Sequence, residues 1–254
     1  MTKKVAVVTG GHRGIGFAIA TRLAKDGFDL AVTGREDLQS DSAPLVTLRE
    51  LGGQVEYIRA DVSNLEGHQP AVERVVGALG PITCLVNNAG IASVNRADFL
   101  ELLPENFDRV ISINLRGTVF FTQAVVRSML ESPSEHARTI VNITSVNAIM
   151  NSLTRLDYCM TKAALSHFNK GLALRLADEN IGVFEVRPGM TRTDMTSTVS
   201  SKYDQMIADG VVPMRRWGEP ADIADVVGSL AGGQFNFSTG SAIDADGGLS
   251  LARF

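Results

Sequence analysis

Residues 3 to 16 read Lys3-Lys4-Val5-Ala6-Val7-Val8-Thr9-Gly10-Gly11-His12-Arg13-Gly14-Ile15-Gly16. The run Lys3–Val8 is apolar and rich in valine, which is typical of a buried parallel strand. The glycine turn leads into a stretch with Ile15, Ile19 and Leu23 on one helical face, ending at Asp26-Gly27. Backbone amides in such a turn can approach a pyrophosphate closely, and the helix dipole favours the anion. This segment predicts a strand, a turn and a helix that bind a dinucleotide.

Strand-like and helix-like runs alternate along the rest of the chain. The further strand-like runs are Leu30–Thr33, Val55–Arg59, Cys84–Asn87, Ile140–Thr144, Val183–Val186 and Ala242–Ala245. The helix-like runs between them include Ala71–Leu79, Glu105–Leu130 and Tyr158–Glu179. Strands separated by helices pair in parallel through right-handed crossovers. We therefore expect an α/β fold over residues 1–254: a single-domain, Rossmann-type, doubly wound parallel sheet with helices on both faces.

Composition limits the function classes. The chain has 254 residues, 20% of them charged, and a net charge of −4. This balance argues against nucleic acid as a partner, and no apolar run reaches the length of a membrane span. A strand that starts at residue 3 leaves no room for a signal peptide. Cys84 and Cys159 lack a C-x-x-C spacing, so we expect reduced thiols in a cytoplasmic protein. The four histidines show no metal-ligand spacing, so we expect no metal.

A candidate catalytic group lies in the second half of the chain. Tyr158 and Lys162 are four residues apart, and Ser145 lies thirteen residues before Tyr158. Residues four apart on a helix share one face, so the ammonium of Lys162 can approach the phenol of Tyr158. A free phenol has a pKa of about 10, and a nearby cation favours its ionised form. This spacing can bring a phenol, an ammonium and a hydroxyl around one reacting carbonyl.

Together these motifs resemble the classical short-chain dehydrogenase/reductase family, over essentially the whole chain. The glycine turn has the spacing T-G-x-x-x-G-x-G, and four further segments follow in the family's order. They are Asp61-Val62, Asn87-Asn88-Ala89-Gly90, Asn114, and Pro188-Gly189 with Thr191 and Thr193. The resemblance implies that Tyr158 is the general acid or base, that Lys162 lowers its pKa and that Ser145 polarises the carbonyl. It also implies that Asn114 holds a helix kink and a water of the proton relay.

The resemblance further implies a nicotinamide cofactor. Its expected contacts are Gly10, His12, Arg13, Gly14, Ile15, Gly16, Arg35, Asp61, Val62, Asn88, Ala89, Gly90, Tyr158, Lys162, Pro188, Gly189, Thr191 and Thr193. Members specific for NAD(H) carry an aspartate after the second strand to bind the 2′-hydroxyl. Here Gly34 occupies that position, and Arg13 and Arg35 can pair with a phosphate. Glu36 and Asp37 place negative charge nearby, but we expect NADP(H) to be favoured over NAD(H).

The substrate site is expected around residues 189–219, which interrupt the alternation and resemble a substrate lid. Candidate substrate contacts are Ser145, Asn147, Asn151, Met190, Met195 and Tyr203. The methionines suit an adaptable apolar lining, or they fill gaps beneath the lid. The asparagines favour a small polar substrate such as a sugar, a polyol or a short oxo-compound.

The resemblance also leaves two other functions open. Many similar members are 3-oxoacyl-carrier-protein reductases, which meet an acidic carrier through basic residues. In this chain the matching regions carry Glu131, Glu135, Asp178 and Glu179, which favour a free small molecule instead. A catalytically silent cofactor-sensing scaffold is the other possibility, but the presence of Tyr158 and Lys162 argues against it. The resemblance implies a homotetramer built on the two long helices, and the apolar tail Gly247–Phe254 suits an interface.

Overall fold

The fold of the computed structural model, described for residues 3–132 and 134–252, is built on one parallel sheet. Its seven strands lie in the order β3-β2-β1-β4-β5-β6-β7. The strands are β1 Lys4–Thr9, β2 Phe28–Gly34, β3 Val55–Arg59, β4 Ile82–Asn87, β5 Arg138–Ile143, β6 Ile181–Pro188 and β7 Ala242–Ala245. Every strand pair is parallel. The order reverses between β1 and β4, so a crevice opens beyond their carboxyl ends.

Helices cover both faces of the sheet. They are α1 Gly14–Lys25, α2 Ala43–Arg49, α3 His68–Leu79, α4 Pro104–Ile111, α5 Thr118–Glu131, α6 Leu156–Leu176, α7 Asp194–Ser197, α8 Ser200–Ala208 and α9 Pro220–Ala231. Ile19 and Leu23 of α1 pack with Ile223 and Val227 of α9 in the core on one face. Side chains from α3, α5 and α6 form the core on the other face. The predicted doubly wound, single-domain fold is confirmed.

The predicted helix over Glu105–Leu130 is interrupted in the structure. Residues Ser112–Gly117, between α4 and α5, form a π-helical segment. A π-helical turn accommodates an extra residue, and such turns are frequent at functional sites. Here the turn directs Asn114 toward the chain that leaves β4. The other long helix also differs slightly, since α6 begins at Leu156 and its last predicted residues, Ala177–Glu179, form a 3₁₀ turn.

Residues 190–218 form a loop whose two ends are joined by backbone hydrogen bonds and whose apolar side chains pack together. The amide of Gly218 donates to the Met190 carbonyl at 2.9 Å, and the amide of Arg192 donates to the Gly218 carbonyl at 2.9 Å. Within the loop, α7 and α8 are the short helices. The core of the loop consists of Tyr203, Ile207, Val212 and Trp217. We call residues 190–218 the lid segment from here on.

None of the helices in the described ranges is long and apolar enough to cross a bilayer.

Candidate active site

The structure brings Ser145, Tyr158 and Lys162 together at the carboxyl end of β5. Ser145 follows β5 by two residues, and its Oγ accepts a hydrogen bond from the Asn147 amide at 3.1 Å. Tyr158 and Lys162 stand one turn apart on α6, and the Lys162 Nζ lies 5.6 Å from the centroid of the Tyr158 ring. The same Nζ donates to the carbonyl oxygen of Ile143 at 3.0 Å. The hydroxyl, phenol and ammonium therefore face one site, as the spacing predicted.

Asn114 joins this site through the backbone of the neighbouring segment. Its Oδ1 accepts from the Ile91 amide at 2.8 Å, and its Nδ2 donates to the Ile91 carbonyl at 2.9 Å. A Cβ on Gly90 would lie 3.2 Å from the Asn114 Oδ1 and 3.9 Å from the Lys162 Nζ. Glycine at position 90 therefore lets the chain pass closely between the asparagine and the lysine. The Asn114 side-chain amide is therefore buried with both its oxygen and its nitrogen hydrogen-bonded, and it fixes the position of the backbone at Ile91.

The titration of Tyr158 depends on burial and on two neighbours. Burial raises the pKa of Tyr158, while a hydrogen bond from Ser145 and the positive charge of Arg155 lower it. The guanidinium carbon of Arg155 lies 5.6 Å from the centroid of the phenol ring. The net effect raises the pKa of Tyr158 above its ordinary value, and the effects that lower it come from Ser145 and Arg155, not from Lys162 as the spacing had indicated.

Lys162 is almost fully buried, and this changes its own titration. Burial lowers the pKa of Lys162 to about 8, and the charge of Glu185 acts in the opposite direction. Glu185 lies in β6 and is completely buried. A buried carboxylate near this lysine stabilises the protonated ammonium.

Glu185 accepts hydrogen bonds from several donors close to Ser145 and Lys162. Its Oε1 accepts from Thr144, next to Ser145, at 2.6 Å, and its Oε2 accepts from Ser166, one turn after Lys162, at 2.8 Å. Arg187 donates to both carboxylate oxygens, at 2.9 and 3.1 Å. The sequence indicates that the Glu185–Arg187 ion pair is unusual, because Glu185 interrupts an otherwise apolar strand. This feature was not among the predicted site residues.

Glu185→Gln should move the alkaline limit of carbonyl reduction to lower pH. Without the carboxylate charge, the pKa of Lys162 falls further below its ordinary value, so the ammonium loses its proton earlier. We expect kcat/KM for reduction at pH 8.5 to drop by roughly threefold or more relative to the wild type. The measurement is the full pH profile of kcat/KM.

Asp244→Asn is the matched control for this variant. Asp244 pairs with the same Arg187 at 3.6 Å, but its side chain is 37% exposed. Loss of the Asp244 charge should leave the alkaline limit of the kcat/KM profile unchanged. Identical profiles for Glu185→Gln and the wild type would show that Glu185 does not control the proton on Lys162.

The glycine turn after β1 forms a cradle for a phosphate group. Gly10 and Gly14 have positive φ angles of 65° and 54°, a conformation that glycine adopts at no steric cost. A Cβ on Gly14 would meet only the Thr193 methyl, at 3.9 Å. The first amides of α1, from Gly14 to Gly16, have no acceptor within the helix. Open space beside free amides at a helix N-terminus fits a pyrophosphate.

The end of β4 is tied to this turn. Thr9 accepts hydrogen bonds through Oγ1 from the amides of Asn88 and Ala89, both at 2.9 Å. The Asn88 side chain donates to the Thr9 carbonyl at 2.9 Å. The Asn87 side chain instead donates to Thr122 of α5 and to Asn142 of β5. Thr9 belongs to the T-G-x-x-x-G-x-G spacing but had no predicted role; in the structure its hydroxyl connects the carboxyl ends of β1 and β4.

A cleft of about 580 Å³ lies beyond β2 and β3 and is lined by Arg35, Glu36, Arg59, Ala60, Asp61, Asn64 and Gly67. This is the expected location of the adenosine half of a dinucleotide. Asp61 Oδ1 is occupied by the amide and the hydroxyl of Ser63, at 2.8 and 2.7 Å. Val62 is buried beside the cleft, and its carbonyl oxygen lies 2.8 Å from the Nε2 of His68.

Three basic side chains converge on Glu36 at the edge of this cleft. Its carboxylate lies 3.3 Å from His12 Nε2, 3.6 Å from Arg13 and 3.6 Å from Arg35. Partial burial raises the pKa of Glu36, but its own backbone amide, His12 and the two arginines together lower it below its usual value. Burial lowers the pKa of His12, with a smaller opposite effect from Glu36.

A side chain on Gly34 has no room in this arrangement. A Cβ there would lie 2.6 Å from the Tyr57 hydroxyl and 2.7 Å from His12 Nδ1. An aspartate at position 34, the NAD(H)-type residue, would therefore displace both rings. Arg13 and Arg35 are the cations that pair with Glu36 at the edge of the cleft.

The expected nicotinamide end lies where β6 meets the lid segment. Gly189 follows β6 and donates its amide to Ala245 of β7 at 3.0 Å. Thr191 is buried at the base of the lid segment. Thr193 caps α7 with Thr196 and faces Gly14. Pro188, Gly189, Thr191 and Thr193 thus line the side of the crevice opposite the glycine turn.

The candidate substrate residues are not equally available. Asn147 is buried, and its Nδ2 donates to the Met150 carbonyl at 3.0 Å, whereas Asn151 is exposed. Met195 is 45% exposed on the lid segment, while Met190 packs against the core of that segment. The Tyr203 hydroxyl accepts a hydrogen bond from Arg155 at 3.3 Å. Met195 is therefore exposed enough to contact a substrate, whereas Met190 fills space beneath the lid segment. Arg155 connects the lid segment to α6.

Within the described part of the chain, no group of three or more His, Cys, Asp or Glu side chains could hold a metal ion.

These features define an α/β protein with a dinucleotide-type crevice beside a Ser-Tyr-Lys cluster. Comparison with known proteins identifies the family. A family model described as short chain dehydrogenase matches residues 4–204. The chain belongs to the short-chain dehydrogenase/reductase family of oxidoreductases.

Individual relatives agree with this assignment. The fold is similar to a crystal structure of 3-oxoacyl-[acyl-carrier protein] reductase from Brucella melitensis in complex with NAD, with a TM-score of 0.97, 55% identity and full coverage of both chains. A short-chain dehydrogenase/reductase structure from Sinorhizobium meliloti is 49% identical with a TM-score of 0.81, again over both whole chains. The 3-oxoacyl-[acyl-carrier-protein] reductase FabG of Staphylococcus epidermidis is 33% identical over 98% of this chain and 99% of that protein.

Proposed function

We propose that the protein uses NAD(P)(H) to interconvert a secondary alcohol and a ketone on a small polar substrate. The cluster of Ser145, Tyr158 and Lys162 is the observation that carries this proposal. The nicotinamide would supply or accept the hydride at the carbinol carbon. Tyr158 would exchange the proton with the substrate oxygen, Ser145 would polarise that oxygen, and Lys162 would hold the cofactor ribose. Asn114 would hold the helix kink and a water molecule of the proton relay in position.

The substrate would bind between Ser145 and the lid segment, with residues 1–254 acting as one catalytic domain. Asn147, Asn151, Met190, Met195 and Tyr203 are the proposed lining. Asn147 would act mainly by shaping the loop after Ser145, because its amide is already bonded to Met150. The exposed Met195 and Asn151 are free to meet a ligand.

Reduction of a carrier-linked 3-oxoacyl group is the second candidate, favoured by the names of the relatives. The surface expected to meet an acidic carrier argues against it. Glu131, Glu135 and Asp178 are exposed there. The guanidinium of Arg138 donates to the backbone carbonyls of Met129 and Glu179, at 2.6 and 2.9 Å, and is therefore directed toward the protein and not toward a carrier.

The remaining cations on this surface do not reverse its sign. Arg175 pairs with the Glu179 carboxylate at 3.4 Å, and Arg127 is exposed one turn before Glu131. Acidic side chains still outnumber the unpaired cations. Docking of an acidic carrier would therefore cost electrostatic free energy.

Comparing a carrier-linked 3-oxoacyl substrate with a short thioester mimic separates the two functions. We expect no gain in kcat/KM from the carrier, because the acidic face repels it. Added salt should improve use of the carrier form, since the screening length falls from about 10 Å at 0.1 M to about 3 Å at 1 M. A marked preference for the carrier form that salt abolishes would establish the carrier-linked function instead.

NADP(H) is the proposed cofactor preference. Convergence of His12, Arg13 and Arg35 on one carboxylate supports a site for an anion such as the 2′-phosphate, and the crowding at Gly34 disfavours an aspartate there. Glu36 opposes this preference, because its negative charge at the edge of the cleft would repel the phosphate. The Brucella melitensis relative was solved with NAD, so both cofactors need to be measured.

Arg35→Ala should raise the KM for NADP(H) by at least about tenfold and leave that for NAD(H) almost unchanged. Glu36→Gln should act in the opposite direction and improve NADP(H), because it removes the competing carboxylate. Steady-state kinetics with both cofactors test this. An equal loss for both cofactors in Arg35→Ala, or a wild-type preference for NAD(H), would contradict the proposal.

We also propose a cytoplasmic homotetramer. Exposed apolar side chains on α5 and α6 support association through these helices: Phe120 is 41%, Met160 44% and Leu174 83% exposed. Leu251 in the expected interface tail is 69% exposed, while Arg253 and Phe254 of that tail lie outside the described residues. Sedimentation would give the oligomeric state.

A further inference from the structure

We propose that Arg155 binds a carboxylate group of the substrate, so that the substrates are short hydroxy acids and the corresponding oxo acids. This inference rests on the proposed function, because it names the class of substrate used by the same site. The reaction would oxidise the hydroxy acid to the oxo acid. The carbinol carbon would lose a hydride to the oxidised nicotinamide, and the hydroxyl proton would leave through Tyr158.

Arg155 lies between the catalytic tyrosine and the lid segment. It directly precedes α6, and its guanidinium carbon is 5.6 Å from the centroid of the Tyr158 ring. Its Nη2 donates to the Tyr203 hydroxyl of α8 at 3.3 Å. A ligand whose reacting oxygen contacts Tyr158 and whose chain extends toward the lid segment must therefore pass this guanidinium.

Arg155 forms no ion pair within the described part of the chain. Among residues 3–132 and 134–252, no carboxylate lies within 4.0 Å of its nitrogens. Its Nε is shielded from solvent and has no hydrogen-bond partner, the only such arginine nitrogen in that part of the chain. Leaving a buried donor unpaired costs free energy, and the cost is larger for a charged group. Such an exception to normal hydrogen bonding needs an explanation.

The acidic residue nearest in sequence does not supply the missing partner. Asp157 is buried, and its Oδ1 accepts from the Ser93 hydroxyl and from the Tyr158 amide, at 2.5 and 2.7 Å. The other oxygen, Oδ2, is also buried without a hydrogen-bond partner, but no nitrogen of Arg155 lies within 4.0 Å of it. Asp157 therefore fixes the start of α6 and leaves the Arg155 guanidinium without a direct carboxylate partner, which a carboxylate of the ligand would supply.

The chemistry of the guanidinium selects a carboxylate over an ester or an alcohol. Its planar array of donors matches the two oxygens of a carboxylate, and such charge-assisted pairs are among the strongest hydrogen bonds in proteins. A neutral ester accepts more weakly and leaves the guanidinium without a carboxylate partner. Because the guanidinium lies against the ring that carries the reacting hydroxyl, only a few bonds can separate the carboxylate from the carbinol carbon. Short 2- and 3-hydroxy acids meet this limit.

The experiment compares 3-hydroxybutyrate and lactate with their methyl esters, using the full-length protein and both oxidised nicotinamides. We expect kcat/KM for the acids to exceed that for the esters by at least about tenfold. Arg155→Gln should bring this ratio close to one, with Arg155→Lys intermediate. The ratio is the decisive quantity, because loss of the Arg155 charge also changes the titration of Tyr158 and lowers both rates together.

Arg192→Gln is the matched control, since Arg192 lies on the lid segment, is 59% exposed and pairs with Glu219. It should leave the ratio of acid to ester unchanged. Turnover of esters or neutral alcohols with no preference for the acids, or a preference that survives in Arg155→Gln, would overturn the role of Arg155 and leave the proposed function standing. Absence of turnover for every acid, ester and alcohol would overturn the proposed function and this inference with it.

Discussion

Tyr158→Phe should lower turnover at least about a hundredfold while cofactor binding is largely retained. The substitution removes the phenol hydroxyl, which exchanges the proton in the proposed reaction. The aromatic ring remains between Lys162 and Arg155, each of which places its charged group 5.6 Å from the ring centroid. Steady-state turnover and nicotinamide fluorescence would measure the two effects separately.

The control for this variant is its stability. The phenylalanine ring fills the same volume, so the melting temperature should change little. If Tyr158→Phe kept near-normal turnover with intact cofactor binding, the proton would have to travel through another group, and the assigned mechanism would be wrong.

Gly16→Ala should abolish cofactor binding and destabilise the fold by about 1–3 kcal/mol. A Cβ at this position would overlap the carbonyl oxygen of Gly10 and lie 2.5 Å from the Asn88 Nδ2. Neither neighbour can move freely, because Gly10 belongs to the backbone of the turn and Asn88 ties that turn to β4. Cofactor titration and denaturant unfolding give the two quantities.

Gly77→Ala is the matched control for this prediction. Gly77 also lies within a helix, α3, but nothing lies within 4 Å of its added Cβ. Alanine should stabilise that helix by roughly 0.5–1 kcal/mol, because it restricts the unfolded chain and favours helix. A Gly16→Ala protein that bound cofactor as tightly as the wild type would show that the glycine turn does not form the cradle.

The fold was predictable because its signals are local and repeated. Valine-rich strands such as Lys4–Thr9 are buried on both sides, so their apolar runs are continuous, and glycine turns separate them from amphipathic helices. The proximity of Tyr158 and Lys162 was predictable for a similar reason, since both residues lie on one helix and the helix sets their separation. Ser145 joins them because β5 ends beside α6.

Other parts of the site depend on contacts between distant segments. The π-helical turn places the Asn114 side chain against the backbone of Ile91, a partner that no local pattern specifies. Glu36 was seen as a charge near the cofactor cleft, but only the folded chain gathers His12, Arg13 and Arg35 around it. Likewise, Arg155 was visible as a neighbour of Tyr158, whereas the lack of a direct carboxylate partner for it emerges only in three dimensions.

The closed base and the apolar core of the lid segment would allow the proposed substrate contacts to change while the sheet and the Ser-Tyr-Lys cluster stay in place. Two backbone hydrogen bonds between its ends, at Met190, Arg192 and Gly218, fix how the segment enters and leaves the sheet. Its apolar core holds Tyr203 and Trp217 in contact with each other, with ring centroids 5.7 Å apart. The Arg155–Tyr203 hydrogen bond and the packing of Leu249 also tie the segment to the rest of the chain. An exchange of residues 190–218 with a relative would therefore have to keep these contacts in order to test whether the segment sets specificity.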